Sequence, residues 1–404
     1  MANPFIERPL VDRLLASPLA FFLHPIHILL LRLRGPPHTP SSSSTTRPIR
    51  VVCISDTHTL EWNDIPDGDL LIHAGDLCND GSVREIQGTV NWLKTLPHRH
   101  KIVIAGNHDS YFDPRSRLDE DRDKVSSSLA NISASTASIR SVDIDIDDFE
   151  GGRIDWSHHT PTEDYDDFDH PKKETEEEEE EQQEDIHYLQ HSAITLTFPA
   201  LTPTQRSRTL NIYGAPQIPT PMPMGPEHAF TYPPQQDAWT GTIPPETDIL
   251  VTHTPPYTHR DLGPNFSIGC PFLLSEVWRV RPLLHVFGHV HFAYGSEPVF
   301  WDEAQRAWER ISTRCSARQL QLQQQQQYSR SRQLLAQFGG LFHDLITIRN
   351  WIDAFRVLFY DITGIIWSRV WGGQVGRGSG WMVNAAMMYK DTGVLRNKPQ
   401  VFVL

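Results

Sequence analysis

The chain has 404 residues, room for one large domain or two smaller ones. Hydrophobic residues make up 39% and charged residues 21%, but 31 prolines and a mean hydropathy of -0.41 exclude a single uniformly compact body. The formal charge of -14 belongs to one segment: residues 143–185 hold 10 Asp, 10 Glu and 3 Lys or Arg, and the remainder carries a net +3, which gives no support to nucleic-acid binding.

Residues 14–31 carry no formal charge and are flanked by Arg13, Arg32 and Arg34, which makes them a marginal membrane span by length. Pro18 and Pro25 interrupt the run, and His24 and His27 are costly in hydrocarbon. Glu7 and Asp12 before it, with no small-residue cleavage site after it, argue against a cleaved signal peptide. The expectation is an apolar helix within 1–35 that either associates with a membrane surface or packs on the protein itself. Residues 36–47, with their Ser and Thr run, read as a linker.

From Pro48 onward short apolar runs end in polar loops. Val51 to Ile54 ends at Ser55-Asp56, Leu70 to Ala74 at Gly75-Asp76, and Lys101 to Ala105 at Gly106-Asn107. Between the last two, Val83, Ile86, Val90 and Leu93 recur at helical spacing behind a capping Ser82. Residues 248–252 and 283–287 continue the series, and 401–404 is a candidate last strand. This alternation predicts an α/β layered fold. Two insertions interrupt the domain at 48–404. Residues 113–194 are polar and then acidic, with Glu176 to Glu181 unbroken, and are expected to be disordered for want of apolar surface to bury. Residues 304–380 combine Gln323 to Gln327 with apolar stretches at helical spacing from 334 to 371, expected to form a helical hairpin packed on the core, a partner surface or a second membrane-facing element. Cys53, Cys78, Cys270 and Cys315 show no paired spacing, which predicts no disulfides and fits a reducing, cytoplasmic compartment with membrane association left open.

Five polar blocks sit at the ends of these runs: Asp56-Thr57-His58, Gly75-Asp76, Gly106-Asn107-His108-Asp109, Thr252-His253 and Gly288-His289-Val290-His291. Each is weak alone, since a strand-end Asp is often a cap and a lone His is often a satisfied core residue. Together, the carboxyl ends of a parallel sheet would bring them to one place, where α/β folds bind ligands. Two divalent ions about 3.5–4 Å apart need one donor that touches both, and a carboxylate such as Asp76 can bridge. Imidazole and amide oxygen complete the set without repelling a phosphate, and mixed nitrogen and oxygen donors suit manganese, iron or zinc better than calcium.

These blocks resemble the calcineurin-like metallophosphoesterase superfamily, whose pattern is D-x-H, G-D, G-N-H-[D/E], H and G-H-x-H. The neighbouring residues Val251-Thr-His-Thr-Pro-Pro, Leu284-His-Val-Phe-Gly-His-Val-His and His259-Arg260-Asp261 are similar to the small metallophosphoesterase-domain branch typified by animal brain-type phosphodiesterases. The resemblance covers roughly residues 49–112, 210–300 and 380–404. It implies a two-sheet β-sandwich flanked by helices. It implies one metal held by Asp56, His58, Asp76 and His291 and a second held by Asp76, Asn107, His253 and His289. In-line attack of a bridging hydroxide on a small phosphoester or nucleotide would follow, with His108 beside the leaving oxygen; His259 and Arg260 are expected either to contact the substrate or to lie in a solvated loop. A catalytically weak metal- or nucleotide-binding scaffold is the alternative. Where the larger protein phosphatases carry an Asp that orients the catalytic histidine, this chain has Asn79, which leaves the orientation of His108 unassigned.

Overall fold

The apolar runs become strands buried on both faces, as parallel strands between helical layers must be. The computed structural model describes residues 17–37, 46–122, 185–220, 229–262, 267–324, 346–371, 378–390 and 392–404, with Leu10, Leu14 and Asp344 besides. In chain order the elements are α1 (Pro18–Arg34), β1 (Arg50–Ile54), β2 (Leu70–Ala74), α2 (Val83–Lys94), β3 (His100–Ile104), β4 (Asp185–Tyr188), β5 (Ser192–Phe198) and β6 (Arg208–Ala215). The short pair β7 (Ile218–Pro219) and β8 (Thr231–Tyr232) follows. Then come β9 (Ile249–Thr252), α3 (Pro271–Val280), β10 (Leu284–Phe287), β11 (Gly295–Phe300), α4 (Glu303–Gln324), α5 (Ile348–Trp371), β12 (Ser379–Asn384) and β13 (Gln400–Val403).

Two large sheets result. One has the order β13-β1-β2-β3-β4, parallel except for β13; the other has the order β11-β12-β10-β9-β6-β5, with a parallel centre and antiparallel edges β11 and β5. Alternation along each strand divides the core. Val51, Ile72 and Ile104 meet Ile212, Val251 and Val286 between the sheets. Val52, Leu71 and Val103 face the other way, toward Ile86, Val90 and Leu93 of α2. Leu250 and Met382 pack on Leu273 and Val277 of α3. The expected two-sheet sandwich flanked by helices is therefore the fold. The expected helix over 82–96 is α2, whose first turn is capped by the Ser82 hydroxyl accepting from the Glu85 N–H.

The insertion expected at 113–194 is narrower than its composition suggested. β4 lies inside those bounds and β5 begins inside them, and the two close one edge of each sheet. Acidity carried the boundary too far: Ile194, Leu196 and Phe198 alternate with exposed Ala193, Thr195 and Thr197, a half-buried edge strand beside the charge run. Residues 123–184, including the Glu run, lie outside the described residues, as does most of the linker at 36–47 and the apolar spacing from 334 to 343. The second expected insertion begins as a true helix, α4, and ends where β12 enters the second sheet between β10 and β11. All four cysteines are buried and free.

Ile72 is fully buried in the inter-sheet layer. Ile72→Ala is expected to destabilise the fold by about 3 kcal/mol, and Ile72→Val by about 1 kcal/mol, through lost burial and a residual cavity. Urea denaturation followed by circular dichroism measures both.

Candidate metal centre

Every block named from the sequence lies just past the carboxyl end of a parallel strand. Asp56 and His58 follow β1, Asp76 follows β2, and Asn107 follows β3, so the first sheet contributes these four. His253 follows β9, and His289 and His291 follow β10, so the second sheet contributes three imidazoles. The chain must turn out of each strand sharply to aim these side chains at one point. Asp56, His58, Asp76 and His289 all adopt left-handed backbone with φ of 52, 47, 55 and 67°. Each such residue costs about 1–2 kcal/mol, and the turns are held by backbone bonds from Asp56 N–H to Gly75 O (2.9 Å) and His58 N–H to Asp76 O (3.1 Å). Close approach fixes two glycines: a Cβ on Gly106 would sit 2.2 Å from Asp76 Oδ1, and one on Gly288 would sit 2.1 Å from Asp56 Oδ2.

Two donor clusters result. Asp56, His58, Asp76 and His291 present ligand atoms within 4.8 Å of one another, as do Asp76, His253 and His289. Asn107 joins the second cluster, its Oδ1 lying 3.0 Å from His253 Nε2, which is itself 3.3 Å from Asp76 Oδ2. His291 Nε2 lies 3.2 Å from Asp56 Oδ1 and 3.4 Å from His58 Nε2. All seven residues expected to be ligands therefore face a common space.

Backbone carbonyls set the proton positions on two rings. A carbonyl oxygen only accepts, so His253 Nδ1, 2.9 Å from Ala74 O, carries its proton, as does His291 Nδ1, 2.8 Å from Lys390 O. In the neutral rings the Nε2 lone pairs then point at the carboxylates, the arrangement that outer-sphere partners impose on metal-binding imidazole. The electrostatics are those of a cation site. Burial would push the Asp56 carboxyl up, but the hydrogen bond and charge of His291 outweigh it and bring it down to about 2. Burial likewise opposes ionisation of Asp76, yet the charge of His253 holds it well below the ordinary range. Burial disfavours charge on His253, but the Asp76 carboxylate overrides it and raises the ring to about 9, whereas His289 is pushed down to about 3 by burial and then by the charge of His253. Two buried carboxylates thus demand positive charge in this space, and His289 keeps a free lone pair.

His108 stands outside both clusters with its ring edge-on to His58, centroids 4.8 Å apart. Its Nδ1 is 3.0 Å from the main-chain carbonyl of Asn79. The orienting acceptor of His108 is thus a backbone oxygen and not a side-chain carboxylate. Asp109 supplies another support that the sequence reading left without a role. Its buried carboxylate accepts N–H groups from Gly106 (2.7 Å), Leu77 (2.9 Å) and Cys78 (3.1 Å), tying the loop after β2 to the loop after β3. Its presence in the block Gly106-Asn107-His108-Asp109 was the available signal; the carbonyls of Ala74, Asn79 and Lys390 leave none.

A family model described as calcineurin-like phosphoesterase matches residues 49–293, more than half of the chain. The chain belongs to that family. The small metallophosphoesterase-domain branch is also found among its relatives. Metallophosphoesterase domain-containing protein 1 of Homo sapiens is 32% identical over 253 residues, 61% of this chain and 61% of that protein. UPF0046 protein K07C11.7 of Caenorhabditis elegans is 28% identical over 248 residues, 61% of this chain and 65% of that one. Probable rhamnogalacturonate lyase C of Emericella nidulans is 34% identical over 273 residues, 66% of this chain but 19% of that much longer protein. The chain therefore spans less than two thirds of the length of each of these relatives. A crystal structure of TT1561 of Thermus thermophilus aligns with a TM-score of 0.32 at 12% identity, over 63% of this chain and 85% of that one.

Within this calcineurin-like phosphoesterase chain, His259 does not hold the substrate-facing place expected of it. It is buried, with Nδ1 2.7 Å from Glu297 Oε1 and Nε2 3.0 Å from Glu309 Oε1, so neither ring nitrogen is free for a substrate. Arg260 turns to the same strand, bonding the Ser296 carbonyl and lying 3.6 Å from Glu297. The pair clamps the loop after β9 to β11 and α4. Burial disfavours the His259 cation, but hydrogen bonds to Glu297 and Glu309 raise the ring to about 10 from the ordinary 6.5. Because the folded value is raised, the stabilisation is complete below about pH 6.5 and is lost as pH rises through about 10. His259→Gln is expected to cost about 3 kcal/mol at pH 6 and to flatten that alkaline slope. Urea denaturation at a series of pH values shows both effects.

Proposed function

We propose that this chain is a metal-dependent hydrolase of phosphoric esters that prefers small or nucleotide phosphodiesters and holds two divalent ions, manganese in the first instance. The observation that carries this reading is Asp76, the one carboxylate common to both donor clusters. Asp56, His58, Asp76 and His291 would hold one ion, and Asp76, Asn107, His253 and His289 the other. The donor set fits such ions: two carboxylates, imidazole lone pairs set by carbonyls on their far side, and an amide oxygen, with nitrogen and oxygen mixed as manganese, iron and zinc accept. Bound there, the ions supply Lewis acidity that activates water and neutralises charge on the phosphoryl oxygens.

The remaining chemistry belongs to side chains. The Asn79 carbonyl holds the Nδ1 proton of His108, which leaves Nε2 as the nitrogen that carries or gives up a proton. A histidine so placed, next to the clusters but outside both, suits protonation of the leaving oxygen. The His108 N–H also donates to Asp76 Oδ1 (2.9 Å), and the His289 N–H to Asp56 Oδ1 (3.0 Å). These bonds hold the two carboxylates in place, as pre-organised catalysis requires. The preference for diesters over monoesters rests on the branch-like motifs around His253 and His289.

Hydrolysis of bis(p-nitrophenyl) phosphate and of p-nitrophenyl phosphate with added manganese tests the proposal. The diester should turn over faster, and Asp76→Asn should abolish activity and lower the metal content of the purified protein. His108→Gln should lower kcat about a hundredfold to ten-thousandfold and leave metal content unchanged. A chain that holds metal yet cleaves neither ester would refute the catalytic reading.

A further inference from the structure

α1 and α5 come from distant parts of the chain and lie side by side over α4. Ala20 and Leu23 of α1, with Ala354 and Val357 of α5, pack around Ala307, Trp308 and Ile311 of α4. Polar contacts hold the two helices in parallel: the buried pairs Ser17 to Asp344 and His27 Nδ1 to Asp361 (2.6 Å), and an exposed bond from Arg369 to the Leu33 carbonyl. Arg34 completes the attachment, 2.6 Å from Asp302 and over the Phe300 ring.

The faces turned away from α4 are apolar where a surface helix is ordinarily polar. On α1, Phe22, Ile26, Leu29 and Leu33 recur at helical spacing and are exposed. On α5, Ile352, Phe355, Phe359, Ile362, Ile366 and Val370 do the same. Phe355 is 66% exposed and Phe22 60%, and two adjacent stripes of this length exceed the scattered apolar exposure of a monomer. Among the described residues, no helix is long and apolar enough to cross a membrane.

Charge on these helices is sorted by side. The carboxylates of α5, Asp353 and Asp361, are both buried, Asp353 paired with Arg310 and Arg314 of α4 and with Arg356 at its rim, which also reaches Glu303, and Asp361 paired with His27. α1 contains no acid. The exposed charges are all arginine: Arg32 on α1, and Arg349, Arg356 and Arg369 on α5. Arg349 and Arg356 flank the α5 stripe on one side and Arg369 on the other, together with the exposed Trp351, Tyr360 and Trp367. Apolar residues in the middle, with arginine and amphipathic aromatics at the margins and no exposed carboxylate, complement an anionic lipid surface. A second copy of the same face would set arginine against arginine.

We propose that the joint outer face of α1 and α5 docks the chain on anionic membrane surfaces, lying in the interface without spanning it. Flotation of the full chain with vesicles of phosphatidylcholine plus phosphatidylserine, and with phosphatidylcholine alone, tests it. The chain should float with the anionic vesicles, bind the neutral ones more weakly, and be released as salt is raised. Phe355→Asp with Ile362→Asp should cut binding about tenfold or more, with the melting temperature unchanged. Arg32→Gln with Arg349→Gln, which removes surface charge alone, should cut it about fivefold for each arginine. Failure of the unmodified chain to float, or equal flotation of the double variants, would overturn the proposal. So would a dimer in solution that Phe355→Asp dissociates, because the face would then belong to a second copy.

Discussion

Two buried carboxylates, Asp56 and Asp76, sit in a common space, and much else about the site follows from the cost of keeping them there. Anions taken out of water repel each other and lose hydration, so the arrangement persists only with positive charge between or beside them. The first sheet supplies both carboxylates, and the second sheet supplies three of the four clustered imidazoles. The sandwich is therefore joined at this end by polar chemistry and elsewhere by the aliphatic layer between the sheets. Four left-handed residues at the strand ends are the strain accepted to aim the donors inward.

The supports around the donors are mostly backbone. Carbonyls of Ala74 and Lys390 set the tautomers of His253 and His291, and the Asn79 carbonyl orients His108. Amides of His108 and His289 hold the two carboxylates from outside. Asp109 ties two of the donor loops to each other by accepting three of their amides. A backbone support survives changes of side chain at its own position, so the orientation of His108 does not depend on the side chain of Asn79.

Outside the sandwich, the third helical layer is organised by a different rule. α4 is the base on which α1 and α5 rest, and the acids of that layer point inward to Arg310, Arg314 and His27. The His259 clamp to Glu297 and Glu309 connects α4 to the loop that begins at His253. Through that clamp, the helical layer and the metal-centre loop share one set of buried contacts.

The strands β1, β2, β3, β9, β10 and β13, α2 with its cap, and the seven converging donors were legible in the sequence, because each is a local signal: continuous apolar runs, a helical period, and polar motifs at strand ends. The sandwich itself came only from family resemblance, since apolar runs alone do not say whether strands enter one sheet or two. The tertiary structure alone decided that β4 closes a sheet edge within a stretch whose charge argued for disorder, because its pairing with β3 is a contact between residues some 85 positions apart. It alone turned His259 from a substrate contact into a buried ion pair, because Glu297 and Glu309 lie 38 and 50 residues away along the chain. It alone separated the packed face of residues 18–34 from the exposed one, since an apolar helix in sequence does not state which side its own protein covers. Local chemistry is written in neighbouring residues; partners, registers and outward faces are set only when the chain closes on itself.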